Sequence, residues 1–574
     1  MLTLACSLFL GFAPPVLAPA WVAQSHAPRP ATTAELCIQW GEDLGALDRL
    51  FDFPLSEARW QAFEGLFDAW QAKLEAVDFA SLDRTGQIDL ILLQDDLEHE
   101  RDQLATERGH ADEDGKYLDF AEPLVALLED RTLRNLPDPE LAAQILQAAT
   151  DRLGEWREEH PAGKEGAEAP SPSQMRRAAR TCGRLRRALR EWYDFGAEYD
   201  PLFTFWCKAP WKGLDGALEK HATYLEKDLG GIDPKDEDRL LGEPIGRERL
   251  MAELRHERIA YTPEELIAIA EREFAWCDAA RAKAATAMGL DGDWRAAQEQ
   301  VRALHVAPGQ QPVLIRDLAD EAVRFLEERD LVTIPDQAKQ VWRMEMMSPE
   351  RQRFSPYFTG GEVISISYPT TEMDQASKMQ SMRGNNRHFS RATVHHELIP
   401  GHHLQGYMAS RWNTQRGRFR TPFLVEGWAL YWELRLWDLG FQQSPEDEIG
   451  MLFWRSHRCA RILFSLNYQL GNWTAEQCVD FLVERVGHDR RNATAEVRRS
   501  IQGGYGPLYQ VAYMIGGMQL MELQRELVGT GLWTDKNFHD TVLQQGSIPV
   551  DLIRDALTEG PLQLRQPVTW RFAE

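Results

Sequence analysis

The sequence predicts a large protein that is mainly α-helical. Between about residues 36 and 340, apolar side chains recur three and four residues apart, which is the spacing of one buried helix face. Two such sets are Leu44, Leu47, Leu50 and Phe51, and Trp60, Phe63, Leu66, Phe67 and Trp70. The best strand candidate is Val363–Ile366, a β-branched run that follows a Gly-Gly pair. We therefore expect many helices and one small β element.

The chain also marks features of individual helices. Residues 262–265 combine a capping threonine, a proline in the first turn and two early acidic side chains, which together predict a helix start. The strongly basic residues 176–190 predict a solvated helix face that pairs with acidic neighbours, although contact with an acidic partner is the alternative.

Composition narrows the class of protein. Of the 574 residues, 43% are apolar and 27% are charged, as is ordinary for a soluble globular protein. The net charge of −25 argues against a nucleic-acid partner, because such a partner requires a basic face. After the N-terminal segment, no apolar run is long enough to span a membrane. We expect a helical body at residues 27–340 and a functional region at residues 341–574, packed as one continuous unit.

Residues 1–26 form an apolar run that ends in small residues and prolines, like the hydrophobic and cleavage regions of a secretory signal peptide. We therefore expect export to the periplasm or the cell exterior, although no Lys or Arg precedes the apolar run. Removal of Cys6 would leave six scattered cysteines, an even number that is compatible with disulfides. In a chain of this length we expect most of them to be buried free thiols.

The strongest functional signal is HHELIPGHH at residues 395–403, which places four histidines and one glutamate within nine residues. A hydrolytic zinc site uses imidazole and carboxylate ligands and leaves one position open for water. His396 and Glu397 begin the familiar HExxH arrangement, in which the second histidine follows four residues after the first. Here His402 and His403 follow six and seven residues later, about 9 and 10.5 Å along a straight helix. Since zinc–nitrogen bonds are about 2 Å long, an undistorted helix cannot join either pair to one ion.

Pro400 and Gly401 supply such a distortion. Pro400 has no N–H group and its ring would clash with the carbonyl of His396, so the helix must bulge or break there. Gly401 can adopt backbone dihedral angles that other residues cannot. A widened turn could then bring His402 back to His396, with His403 as the alternative ligand. The competing interpretation is a proline-broken surface helix with a chance cluster of histidines.

Glu426 is the candidate third ligand. It lies in TPFLVEGWALYWE, where apolar residues occupy nearly every helix face, and such a helix is buried. A buried carboxylate needs a cation or several hydrogen-bond donors. Zinc would meet that need, and pairing with Arg461 or Arg435 is the alternative. Glu433, seven residues further on, is at most a supporting residue.

Together, HELIPGHH (residues 396–403) and EGWALY (residues 426–431) resemble the DUF885 family, a bacterial branch of the zincin-type metallopeptidase clan. Weaker similarity lies in residues 261–274 and 78–100, so the resemblance covers most of the chain after about residue 40. It implies a mainly helical, zincin-like peptidase fold, a Zn²⁺ site of the gluzincin kind and metallopeptidase activity. It further implies that the strand candidate lies beside the site helix and offers an edge to the substrate backbone, whereas a simple hairpin is the alternative.

The same resemblance assigns roles to single residues. His396, His402 and Glu426 would hold Zn²⁺, and Glu397 would be the general base that activates water. Tyr513 or Arg461 would stabilise the oxyanion, although Tyr513 could equally be a core tyrosine with a satisfied hydroxyl. The substrate would be a peptide or a small amide.

The segment around Arg461 departs from the family pattern. Ser465, Asn467 and Gln469 stand where the family usually carries Asp, Gly and His, and such neighbours tune metal affinity and ligand orientation. This departure motivates the alternative of a non-catalytic helical binding or scaffold protein that retains a structural metal. A metal-dependent amidase or esterase that uses the same water is a further alternative. The oligomeric state and the position of cleavage stay open.

Overall fold

Helices form most of the chain, as the sequence predicts. The computed structural model describes residues 31–573 except residues 136, 163–169, 234, 237–238 and 353–356, and the expected signal peptide at residues 1–26 lies outside the described residues. The chain divides into two compact units. The first unit extends to Leu82 and resumes as Leu93–Ile232, while the second comprises Asp83–Leu92 and the chain from Asp233 onward. The expected boundary at residue 340 therefore falls inside the second unit.

The first unit is built from helices α1 to α7. They span Thr33–Leu50, Glu57–Glu75, Arg84–Gly115, Glu122–Thr132, Pro139–Glu159, Pro172–Tyr199 and Pro201–Thr223, and the first turns of α3 belong to the second unit. One apolar cluster joins α4 to α7, where α5 contributes residues at helical spacing, namely Leu146, Ala149, Leu153 and Trp156. The basic residues of α6 pair within the unit, as in Arg177 with Asp114 (2.8 Å) and Arg186 with Asp215 (2.7 Å). The prediction of a basic face paired with acidic neighbours is confirmed.

The second unit contains helices α8 to α23. They span Gly246–His256, Pro263–Ala287, Trp294–Ala303, Gln311–Glu328, Asp336–Val341, Pro349–Gln352, Gln375–Gly384, Arg387–Glu397, His402–Ala409, Pro422–Asp438, Pro445–Gln469, Ala475–Phe481, Arg490–Gln502, Tyr509–Val528, Asp535–Gln544 and Val550–Leu557. Helix α18 is buried on nearly every face and packs against α9, α10, α15 and α21. The predicted start of α9 is also confirmed. Thr262 Oγ1 accepts the N–H of Glu265, whose carboxylate accepts the N–H of Thr262 in return.

Two short parallel strands complete the second unit. Strand β1, Arg343–Met346, pairs in register with β2, Val363–Ile366, which is the strand that the sequence predicts. The partner strand runs parallel to β2, and Ser365 of β2 additionally forms an antiparallel bridge with Thr359, as in the hairpin considered as the alternative. Ile364 and Ile366 pack in one apolar cluster with Val394 of α15. The small β element therefore lies beside the helix that carries the histidine motif, as expected.

Helices α17 and α21 approach each other so closely that their backbones touch. A Cβ atom on Gly427 of α17 would lie 2.6 Å from the Cα of Gly516 of α21. A Cβ atom on Gly516 would overlap the carbonyl oxygen of Phe423. Real Cβ atoms do not approach other atoms this closely, so both positions require glycine. The contact brings Glu426, next to Gly427 in the chain, against the N-terminal turns of α21.

Two further expectations concern cysteines and membrane spans. The six cysteines of the described residues are free and buried, which agrees with the prediction of buried thiols. Among the same residues, no helix combines the length and the apolar character needed to cross a lipid bilayer.

Replacement of Gly516 should destabilise the second unit. In Gly516→Ala the new methyl group must push α17 and α21 apart, which we expect to lower the free energy of unfolding by at least about 2 kcal/mol. Urea denaturation followed by circular dichroism measures this loss. The matched control is Gly406→Ala in α16, where nothing lies within 4 Å of the new Cβ, and this variant should gain up to about 1 kcal/mol. Equal stability of the two variants would contradict the close helix contact.

The stability of this unit should also depend on the protonation of Glu257. Thr421 caps α17 by accepting the N–H of Phe423 and donates its own hydroxyl to Glu257. Burial raises the pKa of Glu257 from 4.5 to about 7, against the smaller opposing effect of the Thr421 hydrogen bond. Because the folded state favours the neutral carboxyl, its stabilising contribution is full below about pH 4.5 and is lost as the pH rises through about 7.

The measurement compares the wild type with Glu257→Gln, whose side chain stays neutral at every pH. The free energy of unfolding of the wild type should fall by up to about 3 kcal/mol more than that of the variant between pH 5 and pH 8. An identical pH dependence in both proteins would show that Glu257 is ionised in the folded state.

Candidate metal centre

The helix that carries the histidine motif breaks where the sequence predicts. Helix α15 ends at Glu397 and α16 begins at His402. Between them the Ile399–Pro400 peptide bond is cis, and the N–H of Gly401 donates to the carbonyl of His395 (3.0 Å). A Cβ atom on residue 401 would overlap the carbonyl oxygen of His396, so glycine lets the chain fold directly back onto the end of α15. The ring of His402 consequently lies 4.8 Å from the ring of His396, at 88°.

Three side chains named from the sequence meet at this break. One ligand atom from each of His396, His402 and Glu426 lies within 4.8 Å of the other two. Oε2 of Glu426 is 3.2 Å from Nε2 of His402 and 3.6 Å from Nε2 of His396. A tetrahedral zinc ion with bonds of 2.0–2.1 Å separates its ligand atoms by about 3.3 Å.

The hydrogen bonding of Glu426 agrees with a metal position. Its Oε2 atom is buried and accepts no hydrogen bond from the part of the chain that the structure describes. The alternative arginine partners are engaged elsewhere, since Arg435 pairs with Asp535 (2.9 Å) and Arg461 with Glu496 (2.7 Å). A buried carboxylate oxygen without a donor calls for a cation, so the residues present fit a zinc ion.

The other two histidines of the motif have different roles. Nε2 of His403 lies 2.7 Å from the carbonyl oxygen of Ala338, to which it donates. Nδ1 of His395 donates to the carbonyl of Arg391 (3.1 Å), and burial lowers the pKa of His395 to about 4. Of the two alternatives for the second ligand, His402 thus has its Nε2 atom beside Glu426, whereas the Nε2 atom of His403 is engaged by Ala338.

Glu433 orients the first histidine. Its Oε1 atom lies 2.7 Å from Nδ1 of His396 and accepts a hydrogen bond from Arg458 (3.0 Å). A proton on Nδ1 leaves Nε2 of His396 free to bind a metal, as carboxylate partners of metal-ligating histidines commonly arrange. Burial alone would raise the pKa of Glu433, but Arg458 and His396 lower it to about 2. The sequence suggests only a supporting role for Glu433 and does not reveal Arg458 as its partner.

The pKa values show that the cluster attracts positive charge. Burial lowers the pKa of His396, but the nearby carboxylates of Glu426 and Glu433 outweigh this effect and raise it to about 9. The pKa of Glu426 lies well below 4.5, because His402 and His396 overcome the effect of burial. In both cases the carboxylates Glu426 and Glu433 require a nearby cation, which is either a proton or a metal ion.

Two tyrosines of α21 complete one wall of the site. The hydroxyl of Tyr509 donates to Oε1 of Glu426. Tyr513, one turn later, is buried and its ring lies nearly parallel to that of His396, 6.1 Å away at 13°. Sequence reasoning selects Tyr513 and misses Tyr509. The sequence did contain a signal for Tyr509. It lies four residues before Tyr513, and side chains at this spacing share one helix face.

The cluster opens onto a cavity of about 830 Å³ whose wall includes Glu397 and Tyr513. Burial raises the pKa of Glu397, although His396 and His402 partly oppose that shift. Gly360 packs so tightly against Glu397 that a Cβ atom would overlap its carboxylate, and the N–H of Gly361 donates to the carbonyl of Glu397 (3.1 Å). The loop before β2 therefore borders the cavity and restricts the Glu397 side chain.

Arg461 and the residues that depart from the family pattern lie along α18. The Arg461 guanidinium is fixed by Glu496 and lies 4.4 Å from the centre of the Tyr513 ring. Arg461 lines the cavity, whereas Ser465, Asn467 and Gln469 do not. Asn467 donates to the carbonyl of Leu463 and Gln469 accepts the N–H of Ile245. In this chain both side chains therefore form hydrogen bonds with backbone groups.

Comparisons with known proteins identify relatives but no activity. Residues 37–557 match the sequence profile of the family described as "Bacterial protein of unknown function (DUF885)". A solved structure of a proposed lipoprotein of unknown function from Shewanella oneidensis is similar with a TM-score of 0.66 and 17% identity, over 92% of this chain and 99% of that one. A proposed lipoprotein from Colwellia psychrerythraea is similar with a TM-score of 0.49 and 18% identity, over 75% and 74% of the two chains. No curated protein matches the sequence significantly.

Neighbouring histidines provide a direct test of the ligand set. After zinc reconstitution, elemental mass spectrometry should find about one ion per chain in the wild type and less than about a tenth of that in His402→Ala and Glu426→Ala. His403→Ala is the matched control, since it removes the adjacent imidazole but only frees the carbonyl of Ala338. Zinc loss in His403→Ala with retention in His402→Ala would reverse the assignment.

Proposed function

This chain belongs to the DUF885 family of bacterial proteins, and from its candidate metal centre we propose that it is a zinc-dependent hydrolase that cleaves peptide bonds. One observation carries the proposal. Three ligand atoms from His396, His402 and Glu426 converge at the wall of the cavity that Glu397 also lines. Two imidazoles, one carboxylate and an adjacent second carboxylate form the donor set of hydrolytic zinc sites.

The metal ligands and the general base have separate proposed roles. His396, His402 and Glu426 would hold Zn²⁺, which when bound supplies a Lewis acid that acidifies water and polarises a carbonyl group. Glu397 takes the proton of the attacking water and later delivers it to the leaving amine. Its raised pKa suits this task, because a stronger base accepts the proton more readily.

Tyr513 is the proposed donor to the oxyanion. It lines the cavity beside His396, and a phenol hydroxyl can donate to charge that develops on the substrate oxygen. Arg461 helps to position Tyr513, because its guanidinium lies over the Tyr513 ring and is held there by Glu496. A peptide can align along Thr359, Gly360 and Gly361, which border the cavity before β2.

A non-catalytic scaffold with a structural metal is the alternative function. The presence of Glu397 beside the cluster favours catalysis, because a structural zinc ion needs no general base. The cavity of about 830 Å³ favours catalysis for a second reason, since structural zinc sites are closed. Hydrolysis of another amide or of an ester remains a variant of the same proposal, which a substrate screen distinguishes.

We also propose that the protein is exported. The apolar residues 1–26 have the pattern of a secretory signal, and the similar structure from Shewanella oneidensis is described as a proposed lipoprotein. The substrate would then be a peptide outside the cytoplasm.

The general base can be tested independently of the metal. Glu397→Gln should lower kcat on a zinc-dependent peptide substrate by roughly 100- to 10,000-fold while zinc content stays near one ion per chain. Glu362→Gln is the control, because Glu362 is an exposed carboxylate that lines the same cavity and pairs with Arg343 (2.8 Å). Unchanged turnover in Glu397→Gln would remove the base from the mechanism.

A further inference from the structure

Arginines dominate the charged side chains that line the cavity. Three of them are neutralised by carboxylates of the same unit, in the ion pairs Arg416–Asp89 (2.7 Å), Arg458–Glu433 (3.0 Å) and Arg461–Glu496 (2.7 Å). These three arginines stabilise the walls of the site, and their charges are already paired with carboxylates. Arg499 differs from them, because it forms no ion pair within the described ranges of the chain.

Arg499 is nevertheless held in a defined place. Its guanidinium carbon lies 4.9 Å from the centre of the Tyr505 ring and 5.7 Å from that of Tyr509, and the two rings are 4.3 Å apart. Its Nε atom is buried without a hydrogen-bond acceptor in the described structure. A guanidinium fixed against aromatic rings keeps a planar set of N–H donors that matches a carboxylate.

Glu496 attracts the charge of Arg499, but this carboxylate already pairs with Arg461 (2.7 Å), so two guanidinium groups share one carboxylate at the edge of the proposed catalytic site. Partial removal of a cation from water costs free energy unless an anion compensates it. One shared carboxylate compensates Arg461 and Arg499 only in part, although the chain as a whole carries a net charge of −25. A ligand with a negative charge would compensate the charge of Arg499.

Tyr509 places this arginine relative to the reacting bond. The hydroxyl of Tyr509 contacts Glu426 and its ring contacts Arg499, so one tyrosine side chain separates the metal ligand from the guanidinium. An extended peptide advances about 3.3–3.6 Å per residue. A group bound by Arg499 would therefore lie within roughly two residues of the bond that is cleaved.

Building on the proposed peptidase function, we propose that Arg499 binds a substrate carboxylate and that the protein acts on short peptides close to that carboxylate. The group is either the C-terminal carboxylate of the peptide or the side chain of an Asp or Glu residue next to the cleaved bond. Both sources offer the same two oxygens to the guanidinium, and the peptides chosen for the test distinguish them.

The test compares matched peptides on the zinc-loaded enzyme. One tetrapeptide is supplied with a free C-terminus and as its C-terminal amide, and a longer amide carries one Glu at successive positions. The wild type should cleave a peptide that has a carboxylate within two residues of the cleaved bond with a kcat/KM roughly 10- to 100-fold above that of the neutral amide. In Arg499→Gln this preference should disappear, while Arg499→Lys should retain part of it.

Arg490→Gln is the matched control. Arg490 lies on the same helix, α20, but it is exposed and pairs with Asp480 (2.7 Å), so its replacement should leave the preference unchanged. A thermal unfolding curve for each variant shows that the fold is intact. Equal cleavage of free-acid and neutral peptides by the wild type would overturn the inference, as would a preference that survives in Arg499→Gln.

A binding measurement keeps this inference separate from the proposed activity. Calorimetry with the dipeptide Ala-Phe and with its amide should show weaker binding of the amide by the wild type and equal binding of both by Arg499→Gln. If no peptide is hydrolysed but the dipeptide binds in this way, the peptidase proposal fails and the carboxylate site stands. If peptides are hydrolysed but the dipeptide and its amide bind equally, the carboxylate site fails and the peptidase proposal stands.

Discussion

Two carboxylates buried in one apolar helix are the constraint on which the site depends. Glu426 and Glu433 lie two turns apart on α17, and the side chains around them are almost entirely apolar. Charges in such surroundings are stable only beside opposite charge and hydrogen-bond donors. His396 lies between the two carboxylates, with one ring nitrogen toward each. Arg458 forms an ion pair with Glu433, and the hydroxyl of Tyr509 donates to Oε1 of Glu426. The remaining oxygen of Glu426, Oε2, lies beside the Nε2 atoms of His396 and His402, where the proposed zinc ion would bind.

Backbone features bring these partners to the carboxylates. The break between α15 and α16 returns His402 to the face of His396, which a continuous helix with a six-residue spacing would not do. The glycine contact between α17 and α21 allows Tyr509 to reach Glu426. In each case the residue at the point of close approach is a glycine, which has no side chain. It is Gly401 in the first case and Gly516 in the second. Close backbone packing thus allows the side chains that interact electrostatically with Glu426 to reach it.

The surrounding charges separate structural from ligand-binding roles. Arginines paired with buried carboxylates fix the walls of the cavity, whereas Arg499 is held against the Tyr505 ring and is the proposed binding group for a substrate carboxylate. The similar structure from Shewanella oneidensis shares the fold over nearly the whole chain at 17% identity, and such a likeness speaks to the fold alone. The chemistry must be argued from the side chains of this chain.

Much of this organisation follows from local sequence. Apolar periodicity predicted the helices, the β-branched run predicted β2, and the spacing of His396, Pro400 and His402 predicted a broken helix. These features depend on neighbours in the chain, so periodicity and backbone sterics suffice. Other features required the tertiary structure. It placed His402 rather than His403 beside Glu426, because the carbonyl of Ala338 holds His403 from a distant helix. It likewise brought Arg458 of the next helix to Glu433, and Tyr509, 83 residues further along the chain, to Glu426, because helix packing and not local sequence decides which side chains of neighbouring helices meet.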